Sequence, residues 1–119
     1  MTHDFYDSTG RPYAYSDDGE TIYTFIGKPI AYISEDSLYS FTGKHLAFFE
    51  NGHIYDHSGS VLLFTDGASS GPMKPLKALK PLKGLKELRP LKGLKELTPL
   101  KALKSMSWSN LVPEELFDT

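Results

Sequence analysis

Between residues 74 and 104 a cation stands at every third position: Lys74, Lys77, Lys80, Lys83, Lys86, Arg89, Lys92, Lys95, Lys101 and Lys104, with Thr98 the one interruption. Charges at this even pitch suit a phosphate backbone or an anionic membrane surface. They equally suit an acidic partner, and the chain carries one. Residues 1–70 hold ten acids against three bases, a balance of −7; residues 71–106 hold ten bases against two acids, +8; residues 107–119 add −3. Because head and tail nearly balance, head-to-tail contact within an assembly is the expected use of this cationic edge. Nucleic-acid or anionic-surface binding is the alternative. It lacks the aromatic residues, interleaved with the cations, on which single-strand binders stack bases.

Other candidate groups fit scaffold roles better. His53 and His57 have metal-like spacing, with Asp56 between them and His45 elsewhere, but no cysteine or third ligand at fixed spacing accompanies them. Asp17-Asp18 and Glu35-Asp36 fall where turns are expected, and solvated turn residues explain them better than an acid/base pair. The glycines lie about 16 residues apart instead of clustering into a phosphate loop. The expectation is therefore no enzyme: no catalytic residue, no metal and no cofactor. The chain has no cysteine, which excludes disulfide and thiolate chemistry. No apolar run is long enough to span a membrane, and MTHDFYDSTG lacks a signal-like pattern. A soluble, cytoplasmic protein is expected.

The cations belong to a larger pattern, four nine-residue units: PMKPLKALK, PLKGLKELR, PLKGLKELT and PLKALKSMS. One residue before each cation comes an apolar one, making a second edge of Met73, Leu76, Leu79, Leu82, Leu85, Leu88, Leu91, Leu94, Leu97, Leu100, Leu103 and Met106. The third row holds Pro, Ala, Gly, Glu and Ser. Leucines three apart drift by about 60° per step on an α-helix, and Pro81, Pro90 and Pro99 would break one. The period predicts an extended rod with three residues per turn, polyproline II-like, with 3₁₀ pieces as the alternative.

The head, residues 1–70, has its own repeat. Tyr6, Tyr23, Tyr39 and Tyr55 are spaced 17, 16 and 16, and Gly10, Gly27, Gly43 and Gly59 keep that spacing. Aromatic and β-branched residues flank each glycine, which predicts one β-hairpin per repeat with its turn at the glycine. Asp18-Gly19, Asn51-Gly52 and Asp66-Gly67 are turn signals between hairpins. The fold class is all-β: four pseudo-symmetric hairpins, eight short strands in an up-and-down meander. On this alignment His57 takes the slot of Phe25 and Phe41, and His45 that of Pro12 and Pro29.

These four apolar-Tyr-x-x-x-Gly hairpins, followed by a Pro-Leu-Lys tail and Ser107-Trp108-Ser109, resemble the bacterial four-fold β-flower proteins. The resemblance covers nearly the whole chain. It implies four hairpins in pseudo-four-fold arrangement and no assigned activity. A fainter similarity to YD-type repeats, through Tyr6-Asp7-Ser8-Thr9-Gly10-Arg11, is confined to the first unit and part of the fourth.

Three segments follow: the head (1–70), the repeat rod (71–107) and an acidic C-terminal segment (108–119) in which Trp108, Leu111, Leu116 and Phe117 could form a docking plug. A rod touching nothing would be disordered, since ordering costs about 1–2 kcal/mol per residue. The leucine edge is therefore expected to pack on a head, with Gly84 and Gly93 as corners, or on another chain; simple geometry favours the second. The function expected is a structural or interaction module forming a homo-oligomer through this edge and through head-to-rod contacts.

Overall fold

The computed structural model describes residues 2–118. Eight antiparallel strands follow in order: β1 (His3–Tyr6), β2 (Pro12–Ser16), β3 (Thr21–Thr24), β4 (Pro29–Ser34), β5 (Ser37–Tyr39), β6 (His45–Glu50), β7 (His53–Tyr55) and β8 (Val61–Phe64). Each pairs with the next, and β1 pairs β8 through Tyr6 and Phe64, closing a barrel. The four hairpins expected from the repeat are present, turning at Gly10, Gly27, Gly43 and Gly59 with φ between 86° and 100°. Asn51 and Gly52, with φ of 54° and 76°, form a turn of the kind whose twist suits a tight hairpin.

Closing so small a sheet requires strong local curvature. Each hairpin shifts register once, at the same place in its repeat: Phe5/Tyr6, Ile22/Tyr23, Leu38/Tyr39 and Ile54/Tyr55. An extra residue there bends and twists the strand, which strands of three to six residues need in order to close. The tyrosine that defines the repeat is thus also its bend.

Alternation divides the side chains between two faces. Phe5, Ile22, Leu38 and Ile54 from the odd strands meet Ala14, Ala31, Ala47 and Leu63 from the even strands in one core, all fully buried. An eight-stranded barrel is just wide enough for such side chains, and three alanines opposite four large residues fit it without crowding. On the outer face the repeat aromatics pair across hairpin boundaries: Tyr15 with Tyr23, Tyr32 with Tyr39, and Tyr6 with Phe64, at centroid distances of 5.6–5.9 Å. Phe48 and Tyr55 share the fourth seam.

The C-terminal segment docks. Val61 N–H donates to Ser107 O at 3.0 Å and Ser109 N–H to Val61 O at 2.7 Å, placing Trp108 beside β8 with its ring 5.8 Å from Phe64. A short helix, α1 (Pro113–Phe117), starts at a proline with Glu114 and Glu115 in its first turn, where acids suit the positive end. It carries Phe117 into the barrel core, stacked on Tyr13 at 5.8 Å, while Glu114 pairs with Arg11 at 2.8 Å.

Between Met73 and Lys104 the chain forms neither helix nor strand. It is not a straight rod. At about 3.1 Å per residue, 36 extended residues would reach about 110 Å, whereas the whole molecule measures 35 × 35 × 25 Å. The tail instead bends around its own head as a girdle, meeting the four hairpin turns in sequence order: Ala78 N–H donates to Gly10 O, Glu87 to Gly27 O, Glu96 to Gly43 O and Ser105 to Gly59 O, at 2.8–3.0 Å. The nonapeptide period and the hairpin period are therefore in register, one unit per hairpin. Gly84 and Gly93, expected as corners, are close approaches, donating to Phe25 O and Phe41 O at 2.7 Å. A Cβ on either would stand 2.6–2.7 Å from a backbone oxygen.

Gly43 carries two constraints at once. Its φ is 100°, and a Cβ there would lie 1.9 Å from Leu94 O. Gly43→Ala should cost about 1–2 kcal/mol in backbone strain alone and should detach the girdle locally. A fall in thermal midpoint, with new protease cleavage between Lys92 and Lys101 before the barrel unfolds, is the expected result. An unchanged midpoint and digestion pattern would show that the girdle does not depend on this turn.

Candidate interaction surface

The three rows of the tail face three ways. The third row lies against the barrel, supplying the amide donors described above, and its prolines occupy positions where no donor is used. The cations reach along the outer wall to acids: Asp17, Glu20 and Asp36 in the loops between hairpins, Asp4 in β1, Glu50 at the end of β6 and Asp66 after β8. Lys83 and Lys86 both bind Asp17, at 3.0 and 2.8 Å; Lys80 binds Asp4 at 2.8 Å; Lys92 binds Glu20 at 2.9 Å, with Arg89 at 3.9 Å; Lys104 binds Glu50 at 3.3 Å. Lys77 pairs with Asp66, and Lys101 with Asp36 and Glu50. On the way the ammonium groups cross the aromatic seams: Lys83 lies 4.2 Å above Tyr15, Lys92 4.5 Å above Tyr32, Lys95 5.4 Å above Tyr39 and Lys104 5.4 Å above Tyr55. Two routes lead elsewhere: Lys74 donates to the carbonyls of Ser70 and Pro72, and Lys95 to Ser34 Oγ. Each seam of two aromatics thus receives cations from one nonapeptide, at half-exposed sites where an aromatic face adds to an ion pair.

Three of the acids beneath the girdle are shifted by their cations. Hydrogen bonds from Lys86 and Lys83 hold Asp17 below the usual carboxylate range, Lys101 does the same for Asp36, and Lys101 with Lys104 for Glu50. Individually such exposed pairs contribute little. Their regular spacing sets the register of the girdle on the barrel.

The remaining row points outward. Leu76, Leu79, Leu82, Leu85, Leu88, Leu91, Leu94, Leu97, Leu100 and Leu103 are 94–97% exposed, Met73 is 92% and Met106 67% exposed. The leucines do not pack on the head. Backbone hydrogen bonds and the cations hold the tail, and the whole apolar edge is left uncovered within the chain.

The model of the 4-fold beta flower protein family matches residues 3–117. The chain belongs to the β-flower family. No curated protein and no solved structure gave a match in the other two comparisons. In this β-flower chain the petals are the four hairpins, and the girdle joins them.

The acids of the flower divide by role. Asp4, Asp17, Glu20, Asp36, Glu50 and Asp66 receive the tail's cations, whereas Asp18 accepts from Ser16 Oγ, Glu20 N and Thr21 N in its own turn. Asp7 and Asp56 instead sit inside hairpin turns: Asp7 Oδ1 accepts from Thr9 N, Thr9 Oγ1 and Arg11 N, and Asp56 Oδ1 from Ser58 N, Ser58 Oγ and Ser60 N. Burial alone would raise both carboxyls; the donors outweigh it and lower them. Thr24 and Ser40 hold the same repeat position and bond the same way, to Lys28 N and Lys44 N. The repeat signal for this turn role is the small polar residue directly after each tyrosine.

The histidines do not converge. His45 Nδ1 lies 2.9 Å from His57 Nε2, and His45 Nε2 lies 3.0 Å from Ser37 Oγ. His57 stacks on His45 at 5.1 Å and meets Phe48 edge-on at 6.3 Å, on the side of the seam that Phe25 and Phe41 take in their own repeats. His53 lies apart, its Nδ1 3.2 Å from Tyr55 Oη. Among the described residues no three His, Asp or Glu side chains stand close enough to hold a metal ion. No helix among them is long and apolar enough to cross a membrane.

His53 is fully buried, its Nε2 has no partner, and burial next to Lys74 lowers its pKa to about 4. The unfolded chain, with an ordinary histidine near 6.5, takes up a proton first as pH falls. Stability should therefore decline between pH 6.5 and 4, by about 3 kcal/mol over the full span. The carboxylates of Asp17, Asp36 and Glu50, whose folded values are depressed, keep their contribution above about pH 5 and lose it progressively below. Denaturant titrations of the parent and His53→Leu at pH 7 and about pH 5 therefore read the histidine phase first. The variant should lose most of the decline over that interval; an equal decline in both would remove His53 as its source.

Proposed function

We propose that this β-flower protein is a non-catalytic interaction module whose copies associate through the leucine edge. The observation that carries this reading is an uncovered row of ten leucines on an otherwise well-packed chain. Monomeric proteins seldom expose contiguous apolar area beyond a few hundred Å², and larger patches mark interaction sites. Fully burying a leucine is worth about 1.5–3 kcal/mol, so a few such contacts outweigh the cost of bringing copies together.

The head-to-tail ion pairs take a different place from the one expected between chains. They form within a single chain, fixing the girdle and presenting the leucines outward. Because most cations already have an acid beneath them, the charge available to a phosphate backbone is small, which weighs against a nucleic-acid role. The hydroxyl, histidine and carboxylate groups that stand together have turn, packing and girdle-binding roles, which supports a non-catalytic reading.

The test is the molar mass in solution of the parent and of a variant with Leu82, Leu85, Leu91 and Leu94 changed to Ser. The parent should exceed its 13.3 kDa chain mass at tens of micromolar, at both low and high salt. The variant should shift toward the monomer with an unchanged circular dichroism spectrum. A parent that stays monomeric throughout would overturn the proposal.

A further inference from the structure

The apolar edge is periodic, and its period matches the four-fold order of the barrel. One nonapeptide serves each hairpin, so every quarter of the rim presents two or three leucines: Leu82, Leu85 and Leu88, for example, lie on the second unit. The molecule is a flat body, 35 Å across in two directions and 25 Å in the third, and this edge runs around it. Two convex bodies that meet side by side touch over one quarter of each rim, not over the whole edge.

We propose that the edge makes each copy multivalent: copies join laterally, quarter to quarter, and the assembly grows without closing at a dimer. This inference rests on the self-association proposed above. The occupant of each quarter is a second copy of this chain, for three reasons. The first is pitch. Leucines three residues apart on an extended backbone stand about 9 Å apart, room enough for one leucine of a neighbour, and every copy carries the same pitch. The second is charge. The edge itself bears none, most of the cations next to it are bound by the chain's own acids, and the net charge of −2 does little to hold copies apart. An anionic bilayer would need free cations, which this arrangement spends on the head.

The third is area. At about 100 Å² per leucine, one quarter offers about 300 Å², well short of the roughly 800 Å² per partner in a standard stable interface. The whole edge offers about 1,000 Å², more than a neighbour joined side by side covers. One contact is therefore weak and leaves equivalent quarters free. Repeated contacts of this kind, unless a rotation closes them, propagate.

Sedimentation velocity over a hundredfold concentration range tests the proposal, using the full chain and a variant in which every leucine of the edge except Leu82, Leu85 and Leu88 is replaced by serine. Trp108, the single tryptophan, reports through its emission whether the girdle's end still sits on β8. The expected result is a parent whose mass climbs past the dimer with no plateau, and a one-quarter variant that stops at two chains. A parent that halts at a discrete dimer or tetramer would overturn this inference and leave self-association standing. A parent monomeric at every concentration would overturn both. Growth seen only when anionic phosphatidylglycerol vesicles are added would assign the edge to a lipid surface and overturn it as well. The parent titration decides alone if the variant fails to fold.

Discussion

The structure depends on backbone hydrogen bonds between a girdle without secondary structure and the turns of a barrel. Six amides of the tail, at Ala78, Gly84, Glu87, Gly93, Glu96 and Ser105, donate to carbonyls at or near the four hairpin tips. A chain segment with no internal bonds has nothing in its own backbone to fix its shape. Here the fixed partner is the barrel, and the approach is possible only because neither side carries a Cβ at the closest points. A Cβ on Gly27 would stand 1.9 Å from Leu85 O, and one on Gly84 2.7 Å from Ile26 O. Glycine on the turn answers a left-handed backbone and glycine on the girdle answers proximity.

The remaining features follow from that seating. Once the third row of the tail is held to the barrel, the two other rows are aimed. The cations turn down the wall and over the aromatic seams to the acids of the head, and the leucines turn away. The barrel gains in return. β1 and β8 share a single residue pair, Tyr6 with Phe64, the weakest junction in the ring. The girdle ends across this junction, with Lys77 above Tyr6 and Trp108 against Phe64. A chain whose first and last strands meet so briefly is held shut by the segment that encircles it.

Much of this was legible in the sequence. The 17-16-16 spacing of tyrosine and glycine gave four hairpins, their turns and the strand order, because a two-residue alternation broken by a glycine is a local instruction. The histidines read as substituted scaffold positions, and His57 does take the side of the seam that Phe25 and Phe41 take. The three-residue period assigned three distinct rows to the tail. What it did not contain was which row faces the head. Hydrophobic bookkeeping left the leucines to meet either the chain's own head or another chain, with simple geometry favouring the second. The small outer face of the barrel was already filled by its own paired aromatics, and cations suit aromatic faces ringed by acids. The decisive signal was the agreement between one nonapeptide and one hairpin, a count whose meaning depends on the tail lying alongside the turns.

The division between sequence and tertiary structure is a division between local and closed-path constraints. Turn glycines, the small polar residue after each tyrosine, and the threefold row pattern act over a few residues, so the sequence by itself determined them. The bend at each repeat tyrosine, the seating of Phe117 on Tyr13 in the core, and the outward turn of the leucines were decided only when β1 met β8. Closure sets the radius of the barrel, the radius sets how far apart the hairpin tips stand, and nine residues of the tail span that distance. No local propensity encodes it, because it is a property of the ring as a whole.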